Sequence, residues 1–402
     1  MTTDRQTTAG QGAAGQGAAG QGTERHDTVV IGAGQAGLST GHHLARRGRE
    51  FLILDANERI GDNWHAHWDS LRLYTPARYD GLPGMRFPAP GWSFPGKDAV
   101  GNYLATYAEH FRLPVRLSTR VRRLARDGAG YRLTTDRGDL LADNVVVATG
   151  TFGRTPKLPA FAPELASGIH QLHSTEYHGP YQLPTGPVLV VGASHSGADI
   201  AYETAKAGHP TVLCGRDTGK IPFPLEARAS RAVLPLLWLV ARHLLTVRTP
   251  LGRHARPEIR EHGGPLLRVK PADLAAAGVE RTTERMAGVR DGRPVLDGGR
   301  VLDVASVVWC TGLRQDFGWI DLPVFDPDGW PREREGVVAD APGLYFTGLA
   351  FQRAFSSMLI GGAGRDAEFV VRHLCAHRPA PDRDVPKSPD MRPHQRKLLG
   401  TR

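Results

Sequence analysis

Two glycine-rich turns carry the residue types and spacings in this 402-residue sequence that are best suited to chemistry. In the first, Gly32, Gly34 and Gly37 follow an apolar β-branched run and precede a helical pattern. Gly32 permits a tight turn, Gly34 lets the backbone approach a pyrophosphate, and Gly37 lets the helix pack closely on the strand. Asp55, 23 residues after Gly32, ends the next strand and can accept hydrogen bonds from a ribose diol. This pattern predicts a dinucleotide site at the N-terminus of the helix.

The second turn spans residues 192–197 and has Ser194 in place of the middle glycine. The same 23-residue offset leads to Gly215, which Arg216 follows. An acid there would repel the 2′-phosphate of NADPH, whereas an arginine can bind it through two hydrogen bonds. Lys220 is close enough in sequence to assist. We therefore predict NADPH rather than NADH at this turn, and the alternative is that Arg216 only forms a surface salt bridge.

Two dinucleotide turns in one chain favour electron transfer between two cofactors. A nicotinamide cofactor needs no second nucleotide unless its electrons pass on, so a flavin reduced by NADPH is the simplest interpretation. We accordingly expect FAD at the first turn and NADPH at the second.

The elements that must position these turns are two strand–turn–helix–strand units, each followed by a buried return strand that ends in Thr-Gly. They predict an α/β fold of two nested Rossmann-like dinucleotide-binding domains, the second inserted into the first. The expected organisation is a disordered leader (1–25), an FAD-binding domain (26–180 and 313–376), an NADPH-binding domain (181–312) with a helical insertion at about 217–280, and a flexible tail (377–402).

The chain resembles the class B flavin monooxygenases, namely the flavin-containing monooxygenase family and its indole-pyruvate (auxin-forming) relatives. The resemblance covers residues 26–376. The matching segments are GAGQAGLS (32–39), GDNW (61–64), SLRLYTP (70–76), VATG (147–150), HSTEYHGP (173–180), GASHSGADIA (192–201), WCTG (309–312) and GLYFTG (343–348).

The resemblance implies that the outer domain holds FAD, that Asn63, Trp64 and Thr75 lie beside the flavin, and that the residues after Gly348 cap it. An asparagine that some family members place over the flavin is missing from the segment 70–76, and Thr75 is the nearest polar residue. Packing in the protein core is the alternative for Trp64.

These arguments give one set of candidate site residues. The candidate catalytic residues are Asn63, Thr75 and Gln352. The candidate cofactor-binding residues are Gly32, Gly34, Gln35, Ala36, Gly37, Asp55, Asn63, Trp64, Val121, Gly150, Gly192, Ser194, His195, Ser196, Gly197, Arg216, Thr311, Gly312, Gly348 and Ser356. No metal site is expected, because the His65-x-His67 pair has no third ligand cluster near it.

The composition of the chain limits the classes of partner and the compartment that we expect. The net charge is +9, but the arginines are spread along the chain without an aromatic-interleaved stripe, so we expect no nucleic acid. Three cysteines without a CxxC pair favour a reducing compartment, and we expect a cytoplasmic enzyme; a homo-oligomer is left open.

The apolar segment 232–247 is too short to span a membrane and contains Arg242 and His243. We interpret it as a buried or amphipathic helix, with a substrate entrance or contact with a membrane surface as the alternative.

The sequence therefore predicts an NADPH-dependent FAD monooxygenase that inserts one oxygen atom from O₂ into a small organic substrate. The resemblance implies that a C4a-peroxyflavin transfers this oxygen. The alternatives are an NADPH–flavin reductase or oxidase of the same nested fold, and a non-catalytic flavin-binding protein.

Overall fold

The computed structural model describes residues 23–150 and 155–377. Most of the predicted leader, and the predicted tail from residue 378, lie outside the described residues. The leader is shorter than predicted, because the first strand already begins at Glu24. Glu24 and Arg25 extend the sheet register beside Leu140 and Leu141, and Arg25 forms a salt bridge to Asp143.

The strands in chain order are β1 (Glu24–Ile31), β2 (Leu52–Leu54), β3 (Val115–Arg116), β4 (Val121–Asp127), β5 (Gly130–Thr135), β6 (Gly138–Val147), β7 (Thr155–Pro156), β8 (His170–His173), β9 (Val188–Val191), β10 (Thr211–Cys214), β11 (Glu280–Thr282), β12 (Met286–Arg290), β13 (Arg293–Leu296), β14 (Ser306–Trp309), β15 (Leu313–Arg314), β16 (Ile320–Asp321) and β17 (Leu344–Phe346). The helices are α1 (Gln35–Arg46), α2 (Asp62–His65), α3 (Lys97–His110), α4 (His195–Lys206), α5 (Ser230–Leu239), α6 (Pro250–Glu261), α7 (Pro271–Ala276) and α8 (Ile360–Ala376). A π-helical turn, Val240–Leu244, continues α5.

The outer sheet has a parallel core in the order β3-β2-β1-β6, with β17 parallel along the carboxyl end of β6. An antiparallel extension of β4 and β5 joins the amino-terminal half of β6. Successive residues of β1 alternate between the two faces. Val30 packs under α1 and α8 with Leu38, whereas Val29 faces the other side with Phe346. Both faces of the parallel core are therefore covered, as is usual for a parallel sheet.

The inner sheet is wholly parallel, in the order β11-β10-β9-β14-β8. The predicted α/β class with two Rossmann-like units is thereby confirmed, with β1 and β9 as the central first strands of the two units. One boundary needs correction, because β8 pairs with β14 in the inner sheet although it lies within the predicted outer segment 26–180. The run His170–His173 has too few apolar residues to reveal its sheet from sequence.

The segment 217–280 contains α5, α6 and α7. The apolar segment 232–247, for which the sequence predicts a buried or an amphipathic helix, is not buried, because Leu236, Leu239 and Leu244 are exposed. Among the described residues, no helix is long and apolar enough to cross a membrane.

Candidate dinucleotide sites at the two glycine-rich turns

The first turn has the backbone geometry that its glycines predict. Gly32 has φ +110°, and a Cβ there would lie 2.6 Å from the carbonyl oxygen of Ala148. A Cβ at Gly37 would lie 1.8 Å from the carbonyl oxygen of Gly32, so only glycine lets α1 approach the turn. A Cβ at Gly34, in contrast, would meet no atom within 4 Å. The turn is therefore closed towards the protein and open above Gly34.

The N-terminus of α1 faces this open space without a side-chain cap. Gly34 is its N-cap residue, no side chain accepts from its first N–H groups, and its first turn contains no acid. Unpaired N–H groups and the helix dipole favour an anion there. Gln35 and Ala36 lie in this first turn.

Asp55 reaches the turn but already has partners. Its carboxylate accepts from the backbone N–H of Ala33 at 2.6 Å and of Asn57 at 2.8 Å. A carboxylate has about four lone-pair sites, so acceptor capacity remains for ribose hydroxyls. Thr119, two residues before Val121, donates its N–H to the carbonyl oxygen of Asp55 at 2.8 Å. The start of β4 is therefore brought beside Asp55.

Loops from elsewhere in the chain close around α1. Gly348 follows β17, and a Cβ there would lie 2.7 Å from the Cβ of Ala36. Gly150 follows β6, and its carbonyl oxygen accepts from Gln315 at 3.1 Å. These contacts bring two further candidate residues to the edge of the sheet where the turn lies.

Helix α2 presents two polar groups that lack partners. The side-chain amide of Asn63 makes no hydrogen bond within the described parts of the chain, and the buried indole Nε1–H of Trp64 finds no acceptor there. A buried indole N–H normally has a hydrogen-bond partner. Together with the open turn, this orphaned donor fits a bound group with acceptor atoms, such as a flavin dinucleotide. The Trp64 ring also packs against both the outer and the inner core.

Thr75 is bonded to a residue that sequence analysis missed. Its hydroxyl donates to the Asp80 carboxylate at 2.6 Å, and the other oxygen of this buried carboxylate has no partner among the described residues. Burial raises the pKa of Asp80 to about 7, against which the Thr75 hydrogen bond acts. The Thr75 proton is committed to Asp80 whenever Asp80 is ionised. Nothing in the sequence around Asp80 distinguished it from the neighbouring turn residues.

Gln352 is fully buried and holds its own loop together. Its amide nitrogen donates to the carbonyl oxygen of Phe346 at 2.8 Å, and its amide oxygen accepts from the N–H of Leu349 at 3.2 Å. These bonds are those of a positioning residue, and its contacts give no support to a direct catalytic role. Ser356 is also buried, on a 3₁₀ turn directly before α8.

The second turn repeats the backbone of the first. Gly192 has φ +107°, and a Cβ there would lie 2.3 Å from the carbonyl oxygen of Cys310. A Cβ at Gly197 would lie 1.7 Å from the carbonyl oxygen of Gly192. Strand β9, helix α4 and strand β14 therefore enclose this turn as β1, α1 and β6 enclose the first.

The residues that differ from the first turn contact a distant segment. The Ser194 hydroxyl donates to the carbonyl oxygen of Gly264 at 2.9 Å, and the Nε2–H of His195 donates to that of Pro265 at 2.6 Å. Burial lowers the pKa of His195, and this hydrogen bond acts against the shift. Residues 263–265, which we call the cover segment, thus lie against the start of α4, where Ser196 also lies.

Two basic residues follow β10, Arg216 and Lys220, and we call them the basic rim. Within the described residues, the Arg216 guanidinium forms no ion pair or hydrogen bond, so a salt bridge does not explain it. Arg281 on β11, which sequence analysis missed, donates to the carbonyl oxygens of Gly215 at 2.7 Å and Arg216 at 3.2 Å. Burial lowers the pKa of Arg281, and nearby Asp217 opposes this shift. Lys220 is exposed close by.

Carboxylates on α4 join the two units. Asp199 accepts from the hydroxyl of Tyr74 at 2.7 Å, and burial raises the pKa of Asp199. Glu203 accepts from the hydroxyls of Ser70 at 3.1 Å and Tyr177 at 3.5 Å. The segment SLRLYTP thus lies against the helix of the second turn, a contact that sequence spacing could not reveal.

The ends of the two units meet at the Thr-Gly after β14. The Thr311 hydroxyl donates to the carbonyl oxygen of Lys157. The carbonyl oxygen of Gly312 accepts a hydrogen bond from Nε2 of His173 at 3.2 Å. Burial lowers the pKa of His173. The carboxyl end of β8 is thereby fixed to the point where the chain returns to the outer unit.

The thiols are unsuited to redox exchange. All three cysteines are free; Cys214 is buried, and burial raises its pKa to about 11. Burial also raises the pKa of Cys310. Because thiol–disulfide exchange needs a thiolate, neither residue resembles an active-site thiol. Among the described residues no group of three or more His, Cys, Asp or Glu side chains could hold a metal ion.

Two strand–turn–helix units of the same backbone geometry, joined through polar contacts, are typical of an oxidoreductase that handles two nucleotides. The model of the pyridine nucleotide-disulphide oxidoreductase family matches residues 29–235. An uncharacterized oxidoreductase named CzcO-like from Geobacillus kaustophilus is 35% identical over 87% of this chain and 99% of its own length. The probable indole-3-pyruvate monooxygenase YUCCA1 of Arabidopsis thaliana is 27% identical over 76% of this chain and 80% of its own length.

Among solved structures, a flavin-containing monooxygenase from Stenotrophomonas maltophilia superimposes with a TM-score of 0.68 and 27% identity, covering 88% of this chain and 99% of that one. The chain belongs to the pyridine nucleotide-disulphide oxidoreductase family. The resemblance to class B flavin monooxygenases, and the prediction of a flavin-dependent oxidoreductase of the monooxygenase class, are confirmed. The expected cofactors, FAD and NADP(H), agree with the match to the pyridine nucleotide-disulphide oxidoreductase family and with the similarity to a flavin-containing monooxygenase.

Proposed function

We propose that this protein is an NADPH-dependent FAD monooxygenase that inserts one oxygen atom from O₂ into a small organic substrate. The observation that carries the proposal is the pair of turns with one backbone geometry and different charges at the strand ends, Asp55 at the first and Arg216 at the second. An acid suits the free ribose of FAD, and an unpaired arginine suits a 2′-phosphate.

FAD is proposed at the first turn. The open space above Gly34 would receive the pyrophosphate against the N–H groups of α1, and Asp55 would receive the ribose hydroxyls. Asn63 and Trp64 would contact the flavin, which gives the unpartnered Nε1–H of Trp64 an acceptor.

NADPH is proposed at the second turn, with Arg216 binding the 2′-phosphate. Arg281 supports this assignment as a positioning residue, because its bonds to the carbonyl oxygens of Gly215 and Arg216 hold the backbone that presents Arg216. The cover segment contacts the turn residues that would bind the pyrophosphate. Cofactor binding would therefore exchange its hydrogen bonds with Ser194 and His195 for bonds to the phosphates.

The bound flavin would supply the oxygen-transfer chemistry, through the flavin–oxygen adduct that the resemblance implies. The protein's own contribution is orientation and exclusion of water from the reacting atoms. The buried pair Thr75 and Asp80 can hold one proton between them, and the loop braced by Gln352 is suited to close over the site. A cavity of about 420 Å³, lined among others by Tyr79, Met85 and Trp238, is our candidate space for the substrate.

The reductase alternative of this fold usually relies on a dithiol. Cys214 is buried and Cys310 is partly buried, and burial raises the pKa of both thiols, which speaks against that chemistry here. We therefore favour oxygen transfer over disulfide reduction.

The decisive experiment is a screen of small amines, sulfides, ketones and 2-oxo acids with NADPH under ¹⁸O₂. We expect substrate-stimulated NADPH consumption and one ¹⁸O atom in the product. Arg216→Ala should retain the same labelled product at saturating cofactor while requiring more NADPH. If every substrate class gave only hydrogen peroxide in amounts equal to the NADPH consumed, the protein would be an oxidase and the proposal would be wrong.

A further inference from the structure

The helical insertion exposes an apolar surface that nothing in the described parts of the chain covers. We define the leucine patch as Val233, Leu236, Leu237, Leu239, Leu244 and Leu251. Leu236 is 60% exposed and Leu239 is 54% exposed. Soluble monomers seldom expose contiguous apolar side chains of this size unless they mark a binding surface.

The helix beneath the patch is firmly attached to the protein through its other side. Trp238 stacks on Tyr79 with ring centroids 4.9 Å apart, and Ala241 is buried. Arg365 donates to the carbonyl oxygen of Arg242 at 2.6 Å. The patch is therefore the outward face of a docked helix and not a loosely placed hydrophobic segment.

The chemistry around the patch selects its partner. Between residues 227 and 257 there are six arginines and two histidines but no aspartate or glutamate. Two of these arginines, Arg248 and Arg256, are paired with Glu335 and Glu333. The other four form no salt bridge within the described residues: Arg228, Arg231, Arg242 and Arg253. Arg228, Arg231 and Arg253 are exposed, whereas Arg242 lines a cavity beside Trp238 on the attached side. An exposed apolar helix face in a segment rich in arginine and free of acids is the signature of a helix that lies in the interface of an anionic bilayer.

A second copy of the chain fits this surface less well. A two-fold interface joins the same patch of both copies, so the arginines of one copy would approach a surface that carries arginines and, between residues 227 and 257, no acidic residue. Such like-charge contacts are unfavourable, whereas anionic headgroups would neutralise the arginines while the leucines enter the acyl boundary. Since no described helix can span a bilayer, attachment at the surface is the arrangement that the structure allows.

We propose that the leucine patch and the exposed arginines of the same segment dock this protein, as a peripheral protein, on the surface of a membrane that contains anionic phospholipids. This inference does not rest on the proposed function, because docking requires neither a cofactor nor turnover.

The test is co-sedimentation of the full chain with vesicles of phosphatidylcholine alone or mixed equally with phosphatidylglycerol. We expect binding to the mixed vesicles that weakens as salt is added, and little binding to phosphatidylcholine. Leu236→Glu should weaken binding by about tenfold or more, since a buried leucine is lost and a negative charge is added. Leu158→Glu is the matched control, because Leu158 is 52% exposed outside the patch, and it should bind like the unaltered chain.

Arg231→Glu provides a second variant whose effect on binding should diminish at high salt. Equal binding by Leu236→Glu and Leu158→Glu, or no preference for anionic vesicles, would overturn the proposal. So would light scattering that shows a dimer in the unaltered chain and a monomer in Leu236→Glu, because the patch would then be covered by a second copy.

Discussion

The two glycine-rich turns of this protein share a backbone and differ in what surrounds it. Equivalent residues of the two turns are 160 positions apart. Gly32 and Gly192 have nearly equal φ angles, and an added Cβ at Gly37 or Gly197 would approach a carbonyl oxygen almost equally closely. The first turn is open above Gly34, whereas Ser194 at the second is bonded to the cover segment. The comparison teaches that glycine spacing dictates the backbone of the turn, while other parts of the chain decide which side chains and segments surround it.

The largest effect should come from filling the first turn. In Gly34→Val the added Cβ has no protein atom within 4 Å, so we expect the fold to persist while the branched side chain obstructs the path of the pyrophosphate. Steric conflict of this kind costs about 1–3 kcal/mol, or roughly five- to 150-fold in FAD affinity. FAD content of the purified protein, with far-UV circular dichroism as a check of folding, measures it.

Gly168→Val is the control for this change, because it also has free space at its Cβ but lies far from the turn in sequence. It should keep normal FAD content. A folded Gly34→Val protein with unchanged FAD would show that FAD does not bind at the first turn.

Both helices after the turns carry a histidine whose pKa is lowered by burial, and the first helix should be the more sensitive to acid, because the shift of His42 is the larger. Burial lowers the pKa of His42 on α1 to about 4, whereas Tyr202 occupies the equivalent position on α4. Because the unfolded chain binds the proton more readily, stability present above pH 6.5 is lost as the pH falls towards 4. The shift corresponds to up to about 3 kcal/mol.

His42→Phe keeps the ring packing on Phe111 and removes the titration. The fall in thermal midpoint between about pH 7.5 and about pH 5 should be smaller in this variant than in the unaltered protein. His110→Phe, at an exposed position of α3, should leave that fall unchanged. The same acid sensitivity in both variants would contradict the role of His42.

The second turn should lose its cofactor preference when its free cation is removed. Arg216→Ala should raise KM for NADPH by roughly ten- to a hundredfold, because a charged hydrogen bond contributes about 1.5–3 kcal/mol, and should leave KM for NADH nearly unchanged. Steady-state kinetics with both nucleotides test this. Lys220→Ala is the neighbouring control and should have a smaller effect. Retention of the NADPH preference would mean that another residue recognises the phosphate.

The smallest effect should come from replacing Asp217, the acidic residue that follows Arg216. Asp217 accepts from the N–H of Gly219 at 2.8 Å, a bond that Asn can also make. Asp217→Asn removes one negative charge near the 2′-phosphate and should lower KM for NADPH by a few fold at most, since exposed charge interactions are worth ~0.2–1 kcal/mol. Asp303→Asn, on a different part of the surface, should have no effect. A higher KM in Asp217→Asn would indicate that the carboxylate assists binding.

The sequence by itself determined the two units and their turns, because the requirements of Gly32, Gly37, Gly192 and Gly197 are local. A short turn and a close helix–strand approach are encoded within a few residues. The nested order of the two units followed from the repeat of the strand–turn–helix–strand pattern along the chain.

Only the tertiary structure decided the contacts between distant segments. The pairing of β8 with the inner sheet, the bond from Thr75 to Asp80, and the position of Arg281 under Gly215 depend on long-range packing that leaves no periodic signal. The exposure of the leucine patch also depends on long-range packing. An apolar helix has the same composition whether its second face is buried or faces outward, and only the neighbouring elements determine which occurs.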